Sequence, residues 1–377
     1  RYVKITVLDV SSRYALTVED CFCRESTSAD DTAVSFPDFG DPLLNKIDRT
    51  AVRTLRNCMQ DVFEDGPKRD RRLWLGDLHL QAKVNYVSYK NYDLVKRCLY
   101  LFAGSAKSDG RLSSNIFLRP GIAADDAYMF DYALFFISTL KDYVCASDDQ
   151  ETLRALYPCA ERQIEIARRA FSDTGCIKDS DRLGWCFTDW NLDLNKQASA
   201  QGIYLYCLRD FALLSRMLGK QAVLPLLKEE YENKKEAALQ CFYNKDFRLF
   251  TSGASAQISW ASQIWMVLAG VVEGDEARRL LLRPEKFPDA VHIVTPYLYH
   301  FYIQALYTVG LEEKALEKIK AYWGGMIAQG ADTFWELYDP ADPAASPYGG
   351  TIVNSYCHAW SCTPAYFLRK YKDPGNV

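Results

Sequence analysis

From about Asp41 to its end, the chain repeats one pattern. A long stretch with apolar residues at helical spacing is followed by a short Gly- or Asp-rich break and then another such stretch. The pattern predicts helices over 42–63, 75–104, 126–145, 148–173, 195–218, 220–241, 257–272, 274–283, 296–309, 311–329 and 354–371. Asp148 and Asp149, just ahead of Glu151, read as a helix cap, while Gly219 in "LGK" and Gly310 in "VGLEE" read as stops followed by new starts. No shared motif recurs at the roughly 33–47-residue period of a helical solenoid. Successive hairpins that must bury their apolar faces without a repeat point to a closed ring. The fold expected is an all-α toroid, in which inner helices form a barrel, outer helices cover it, and the connecting loops build a funnel at one end.

Residues 1–26 break the pattern. They are rich in β-branched and aromatic residues with partial alternation and predict two or three strands; 27–41 read as a linker. The expected division is a β segment with its linker over 1–40 and a helical domain over 41–377. The chain begins at Arg1, which is read as an incomplete N-terminus.

A net charge of -4 over 45 basic and 49 acidic residues leaves no basic stripe for nucleic acid. No run of apolar residues is long enough to span a membrane. The 12 cysteines include no CxxC pair, and several sit inside apolar runs such as "LVKRCLYLF", where a thiol acts as a small filler. With only 4 histidines a Cys/His metal site is not expected, and reduced thiols in a cytoplasmic setting are.

Chemistry gathers in two of the predicted loops. "EDGPKRDRRLWLGD" carries Asp65, Asp70 and Asp77 among Arg69, Arg71, Arg72 and Trp74, with Gly66-Pro67 marking a turn. The apolar Leu73, Trp74 and Leu75 argue that this loop is packed down; a solvated charged turn is the plain alternative. "GADTFWELYDP" holds Glu336 between Trp335 and Leu337, where flanking apolar bulk perturbs a carboxyl group, although a helix-start Glu would look the same. These loops lie near the first and last hairpins, which a closed ring makes neighbours. Two carboxyl groups brought together in this way could work as an acid and base pair. Hydrolysis of a glycoside with inversion needs such a pair roughly 6.5–9.5 Å apart, with a water between one carboxylate and the sugar.

These residues resemble the bacterial α-L-rhamnosidases of glycoside hydrolase family 78. Asp65, Asp70, Trp74 and Gly76-Asp77 stand where that family has an acidic residue, a general acid, a Trp and a Gly-Asp pair. Thr333-Phe334-Trp335-Glu336 matches its segment bearing the general base, and His358 in "YCHAWS" its downstream His. "GWCFTDWN" at 184–191 and "ADDAYMFDY" at 124–132 match two further loops, and the opening strands resemble the end of the β-sandwich that precedes the family's barrel. The resemblance implies an (α/α)6 six-hairpin glycosidase needing no cofactor or metal, with Asp70 as general acid and Glu336 as general base. Asp65, Arg69, Asp77 and His358 would hold the sugar; Trp74, Trp185, Trp190 and Trp335 would wall it; Asp126, Tyr128 and Asp189 would be secondary contacts. His79 is expected to be structural.

The family's usual acid is Glu, and one register places Arg71 there instead of Asp70. A carbohydrate or glycoside is the implied partner, with self-association left open. Another inverting toroid hydrolase, a phosphorylase, or a sugar-binding toroid without catalysis are the competing readings.

Overall fold

A computed structural model of the chain describes residues 4–178, 186–342 and 344–372. Among the described residues twelve α-helices follow one another as six hairpins. They are α1 (Pro42–Cys58), α2 (Leu75–Tyr86), α3 (Tyr92–Gly104), α4 (Phe130–Ser147), α5 (Gln150–Arg168), α6 (Gln197–Met217), α7 (Leu224–Phe242), α8 (Trp260–Leu268), α9 (Gly274–Leu282), α10 (Pro296–Thr308), α11 (Glu312–Ala328) and α12 (Pro364–Phe367).

Burial divides them into two layers. In α2 every residue from Leu75 to Asn85 is buried, and α8 is buried throughout. In α5 and α9 only one stripe is buried, as expected of helices with solvent on one side. Along the inner layer α2 packs on α4, α4 on α6, α6 on α8 and α8 on α10, and α12 returns to α2. This is the (α/α)6 toroid. The connections that lead from an outer to an inner helix all lie at the N-terminal ends of the inner helices.

Local chemistry explains the boundaries. Asp41 caps α1 by accepting the amides of Leu43 and Leu44, with Pro42 in the first turn. Asp149 caps α5 through the amide of Thr152, while Gly219 and Gly310 adopt the left-handed conformation after α6 and α10. The single helix expected over 75–104 is two. Lys90 turns left-handed, and Asn91 starts α3 by accepting the Leu94 amide. The final stretch opens with a 3-10 turn, Ala359–Cys362, ahead of the short α12.

Two other expectations are corrected. Residues 4–26 form no strand; they are exposed, with Ile5, Leu8 and Phe22 open to solvent. β-propensity needs a neighbouring strand to complete a ladder, and none of the described residues supplies one. The strands that do form are short and sit in the connections: β1 (Leu73–Trp74), β2 (Asn115–Phe117) and β3 (Ala123–Ala124) make one antiparallel sheet. β4 (Tyr243–Asn244), β5 (Leu249–Ser252) and β6 (Gln257–Ile258) make the other. The second correction concerns the cysteines. Cys176 and Cys241 form a disulfide across a separation of 65 residues, with Cα atoms 6.6 Å apart, which spacing along the chain could not signal. Cys58, Cys98, Cys186, Cys207 and Cys362 are buried thiols acting as fillers. Among the described residues no helix is long and apolar enough to cross a membrane.

The ring is sealed by a buried ion pair. Arg369, just past α12, donates to both carboxylate oxygens of Asp48 on α1 at 2.7 and 2.8 Å, and to the carbonyl of Val87. Removing one partner leaves the other charge buried and uncompensated. Arg369→Ala should therefore lower unfolding free energy by about 3–5 kcal/mol in denaturant melts, and the pair of changes Asp48→Asn with Arg369→Met should cost less than Arg369→Ala alone.

Candidate active site

The loop before α2 doubles back on itself: the Asp65 amide donates to the Arg72 carbonyl, and the Arg72 amide returns to the Asp65 carboxylate at 3.1 Å. Gly66 is required here, because a Cβ would lie 2.7 Å from the Cys357 carbonyl oxygen. Asp70 and Arg71 both take positive φ, 63° and 51°. Two consecutive left-handed side-chain-bearing residues are a strained arrangement that surrounding structure must enforce. β1 then pairs with β2 and fixes Trp74, and Asp77 falls in the first turn of α2. Gly76 brings the helix against the ring of Tyr132, where a Cβ would approach within 2.3 Å.

On the opposite side, residues 334–336 lie beside 355–358. The Glu336 amide donates to Ser355 and the His358 amide to Phe334. This extended run explains why Glu336 and Trp335 part company. Side chains alternate in such a run; Phe334 and Glu336 are buried, whereas Trp335 turns to Tyr338 and Tyr356. The segment is sutured to the first hairpin by the Phe334 amide to Thr54 Oγ1 and the Ala359 amide to the Asp65 carbonyl.

Between the two loops lies a cavity of about 180 Å3. Asp65, Arg69, Asp70, Trp74, Asp77, Trp190, Glu336 and His358 all line it. Sequence reasoning missed its remaining walls: Met129, Tyr132, Phe187, Tyr348 and Trp360. Phe187 lay inside the matched stretch 184–191 and Met129 and Tyr132 inside 124–132, and Trp360 is the Trp of "YCHAWS". Tyr348, in a polar Gly-Pro-rich stretch, carried no signal.

Four expected contacts, Asp126, Tyr128, Asp189 and Trp335, stand outside the cavity. Asp126 is exposed and pairs with Lys107, while its neighbour Asp125 turns inward to Asn115. Asp189 accepts the amides of Trp190, Val294 and Thr295 and the Thr295 hydroxyl, so its carboxylate is engaged in tying this loop to the start of α10. It positions Trp190 without facing the cavity. Trp335 is displaced by the alternation just described. Trp185 lies outside the described residues. Tyr128 lines a separate hollow, and His79 is buried in the core against Phe135.

Charges of alternating sign run through the cavity wall. Asp77 bonds His358 Nε2 at 2.9 Å, and His358 Nδ1 lies 3.9 Å from Glu336. Glu336 receives Arg69 Nη2 at 2.6 and 2.8 Å and the Tyr348 hydroxyl. Arg69 Nη1 then lies 3.6 Å from Asp70, and its guanidinium stacks 4.0 Å from the Tyr348 ring centre. Burial alone would raise the Glu336 carboxyl, but the charge of His358 and the bonds from Tyr348 and Arg69 hold it below the ordinary glutamate range. Burial likewise opposes the imidazolium of His358, and Glu336 and Asp77 outweigh it, pushing its pKa up to about 9. Asp65 is different. Burial dominates and raises it to about 8, so at neutral pH it is a protonated carboxyl able to donate.

The wall thus offers one ionised carboxylate held in a cage of donors, one partly exposed carboxyl on a strained turn, and aromatic faces between them. Among the described residues no three His, Cys, Asp or Glu side chains could hold a metal ion.

Comparison with known proteins places the chain in a family. The profile of the bacterial alpha-L-rhamnosidase 6 hairpin glycosidase domain matches residues 35–371. A rhamnosidase from Klebsiella oxytoca, solved with rhamnose bound, is 50% identical, with a TM-score of 0.88 over 90% of this chain and 66% of that one. Two further structures share the fold. A family 78 rhamnosidase of Bacillus sp. GL1 is 24% identical, with a TM-score of 0.79 over 89% of this chain and 35% of that one. An α-L-rhamnosidase of Streptomyces avermitilis is 18% identical, with a TM-score of 0.69 over 91% and 33%. No curated protein sequence matches. This chain spans about two thirds of the Klebsiella enzyme's length and about a third of the other two. On the match over 35–371 and the identity to the Klebsiella enzyme, the chain belongs to the bacterial α-L-rhamnosidase family of six-hairpin glycosidases.

Proposed function

We propose that the chain hydrolyses glycosides with inversion and releases terminal α-L-rhamnose. Residues 41–377 are the catalytic unit in this reading, and 1–40 are an appended segment. One observation carries the mechanism: Asp70 and Glu336 line a single cavity and are approached by the two ends of one guanidinium. That link keeps their separation on the scale of the roughly 6.5–9.5 Å that an inverting pair needs.

Glu336, ionised and caged, is suited to take a proton from a water as its oxygen attacks the anomeric carbon. Asp70, at the partly exposed edge, donates its proton to the departing glycosidic oxygen. The balance is one water consumed, one C–O bond broken and one formed. Protonated Asp65, with Asp77 and His358, supplies donors and acceptors to the sugar hydroxyls, and Trp74, Trp190 and Trp360 cover its apolar faces. The rhamnose bound in the Klebsiella enzyme supports the sugar assignment.

The test is hydrolysis of p-nitrophenyl α-L-rhamnopyranoside. Glu336→Gln should lower kcat about 10²–10⁴-fold. Asp70→Asn should lose a similar factor on this substrate but much less on a dinitrophenyl rhamnoside, whose leaving group needs no proton. If Asp65→Asn and not Asp70→Asn shows that leaving-group dependence, the acid is Asp65. NMR of the first product should show the inverted anomer; the retained anomer would overturn the mechanism. Rhamnose binding without turnover would favour the sugar-binding toroid.

A pH dependence follows from the charge chain. The folded-state pKa of His358 is raised above its ordinary 6.5 to about 9. Its imidazolium therefore adds stability that is fully present below pH 6.5 and lost as pH rises through about 9. The Tm should fall across that interval, and the fall should be shallower in His358→Gln.

A further inference from the structure

Two thiols meet at the seam between the first and last hairpins. Cys58 is the last residue of α1 and is fully buried, and its Sγ lies 3.7 Å from the Asp65 carbonyl oxygen. The same oxygen accepts the Ala359 amide, so residues 357–359 run directly past the end of that helix. Cys357 turns its Sγ back onto the helix end. It lies 4.0 Å from the Thr54 carbonyl and 3.8 Å from Asn57 Nδ2, one turn and one residue ahead of Cys58. The Cys58 thiol donates to Cys357 Sγ.

The two sulfurs are unequal. Burial, with Cys357 and Asp65 beside it, pushes the Cys58 thiol well up, so it keeps its proton. The bond from Cys58 draws the Cys357 thiol below its ordinary range; Asn57, Thr333 and the charge of His358 add to this against burial. Cys357 is half-buried, not sealed. A thiol inclined to ionise, open to small molecules and backed by a second thiol is the arrangement that reduces peroxides.

We propose that Cys357 and Cys58 form a peroxide-reactive dithiol, with Cys357 as the attacking sulfur and Cys58 as the resolving one. The Cys357 thiolate attacks the outer oxygen of a hydroperoxide, the O–O bond breaks, and the alkoxide leaves and is protonated by solvent. Cys58 Sγ then attacks the sulfenic acid formed on Cys357. The S–O bond breaks, and the departing hydroxide takes the Cys58 proton and leaves as water. Two thiols and one hydroperoxide give one disulfide, one alcohol and one water, and the two electrons lost by sulfur reduce the peroxide. The new bond ties α1 to the residue before His358, closing covalently a seam otherwise held by hydrogen bonds. This chemistry is independent of the hydrolase reading.

The test treats the folded chain, its Cys176–Cys241 bond intact, with hydrogen peroxide and maps thiol-blocked peptides by mass. A peptide pair joined through Cys58 and Cys357, two hydrogens lighter than its parts and released by dithiothreitol, is expected. Cys58→Ala should lose the cross-link and leave a sulfenic acid on Cys357, captured by dimedone ahead of the exposed Cys21 and Cys23. Cys357→Ser should lose the cross-link and give no adduct on Cys58. Thermal melts show whether the variants fold, and if they do not, the map of the unaltered chain decides alone. A bond formed through the buried Cys362 instead, adducts confined to Cys21 and Cys23, or both thiols left unchanged would each overturn the dithiol and leave the pair as fillers.

Discussion

The seam between the first and last hairpins carries both the ring and the site. Arg369 and Asp48 join α12 to α1 by a buried ion pair. A little above it, Thr54 on α1 accepts the Phe334 amide, and the Asp65 carbonyl accepts the Ala359 amide. Without these bonds the loop holding Asp70 and the loop holding Glu336, more than two hundred and sixty residues apart in sequence, would have no reason to share a cavity. The fold holds that long-range contact through loop amides, one on the Asp65 carbonyl and one on the Thr54 hydroxyl, so the loop side chains themselves are left to line the cavity.

What those residues do is set by alternation of charge. Each group from Asp77 through His358, Glu336 and Arg69 to Asp70 would be costly to bury alone, and each has opposite neighbours within bonding or near-bonding distance. The chain of charges has a direction. Its inner end, at Asp77, is fully enclosed at the start of α2, where the helix N-terminus also favours a negative group. Its outer end, at Asp70, lies on a strained turn with its side chain about a quarter exposed. A carboxylate at the enclosed end is held on all sides, and the one at the open end meets solvent at the mouth of the cavity.

Much of this was readable beforehand, for a physical reason. Helix periodicity and capping are local, so Asp149, Gly219 and Gly310 announced their breaks directly. The loops near Asp70 and Glu336 stood out because charges beside bulky apolar residues are hard to place anywhere else. Legibility failed where the outcome depended on a partner. The strand-like residues 4–26 have no ladder to join, and the Cys176–Cys241 bond spans separate hairpins. Asp126 and Asp189 were chosen for their loops, but which carboxylate of a loop points inward is decided by neighbours. Asp125 turns in beside Asn115, and Asp189 meets the amides that open α10.

The case of Asp189 bears on how such sites are built. With its carboxylate buried against three amides and a hydroxyl, it holds the turn that carries Phe187 and Trp190. Asp131 on α4 does the same from the other side, accepting the amides of Phe187 and Thr188. Two buried carboxylates thus clamp one aromatic wall, Asp131 from the first turn of α4 and Asp189 through the amides just ahead of α10. Among the inner helices, α2 and α4 carry an acidic residue, Asp77 and Asp131, in the first turn, where the helix N-terminus favours a negative group. Asp65, Asp70, Asp77 and Glu336, in contrast, line the cavity itself.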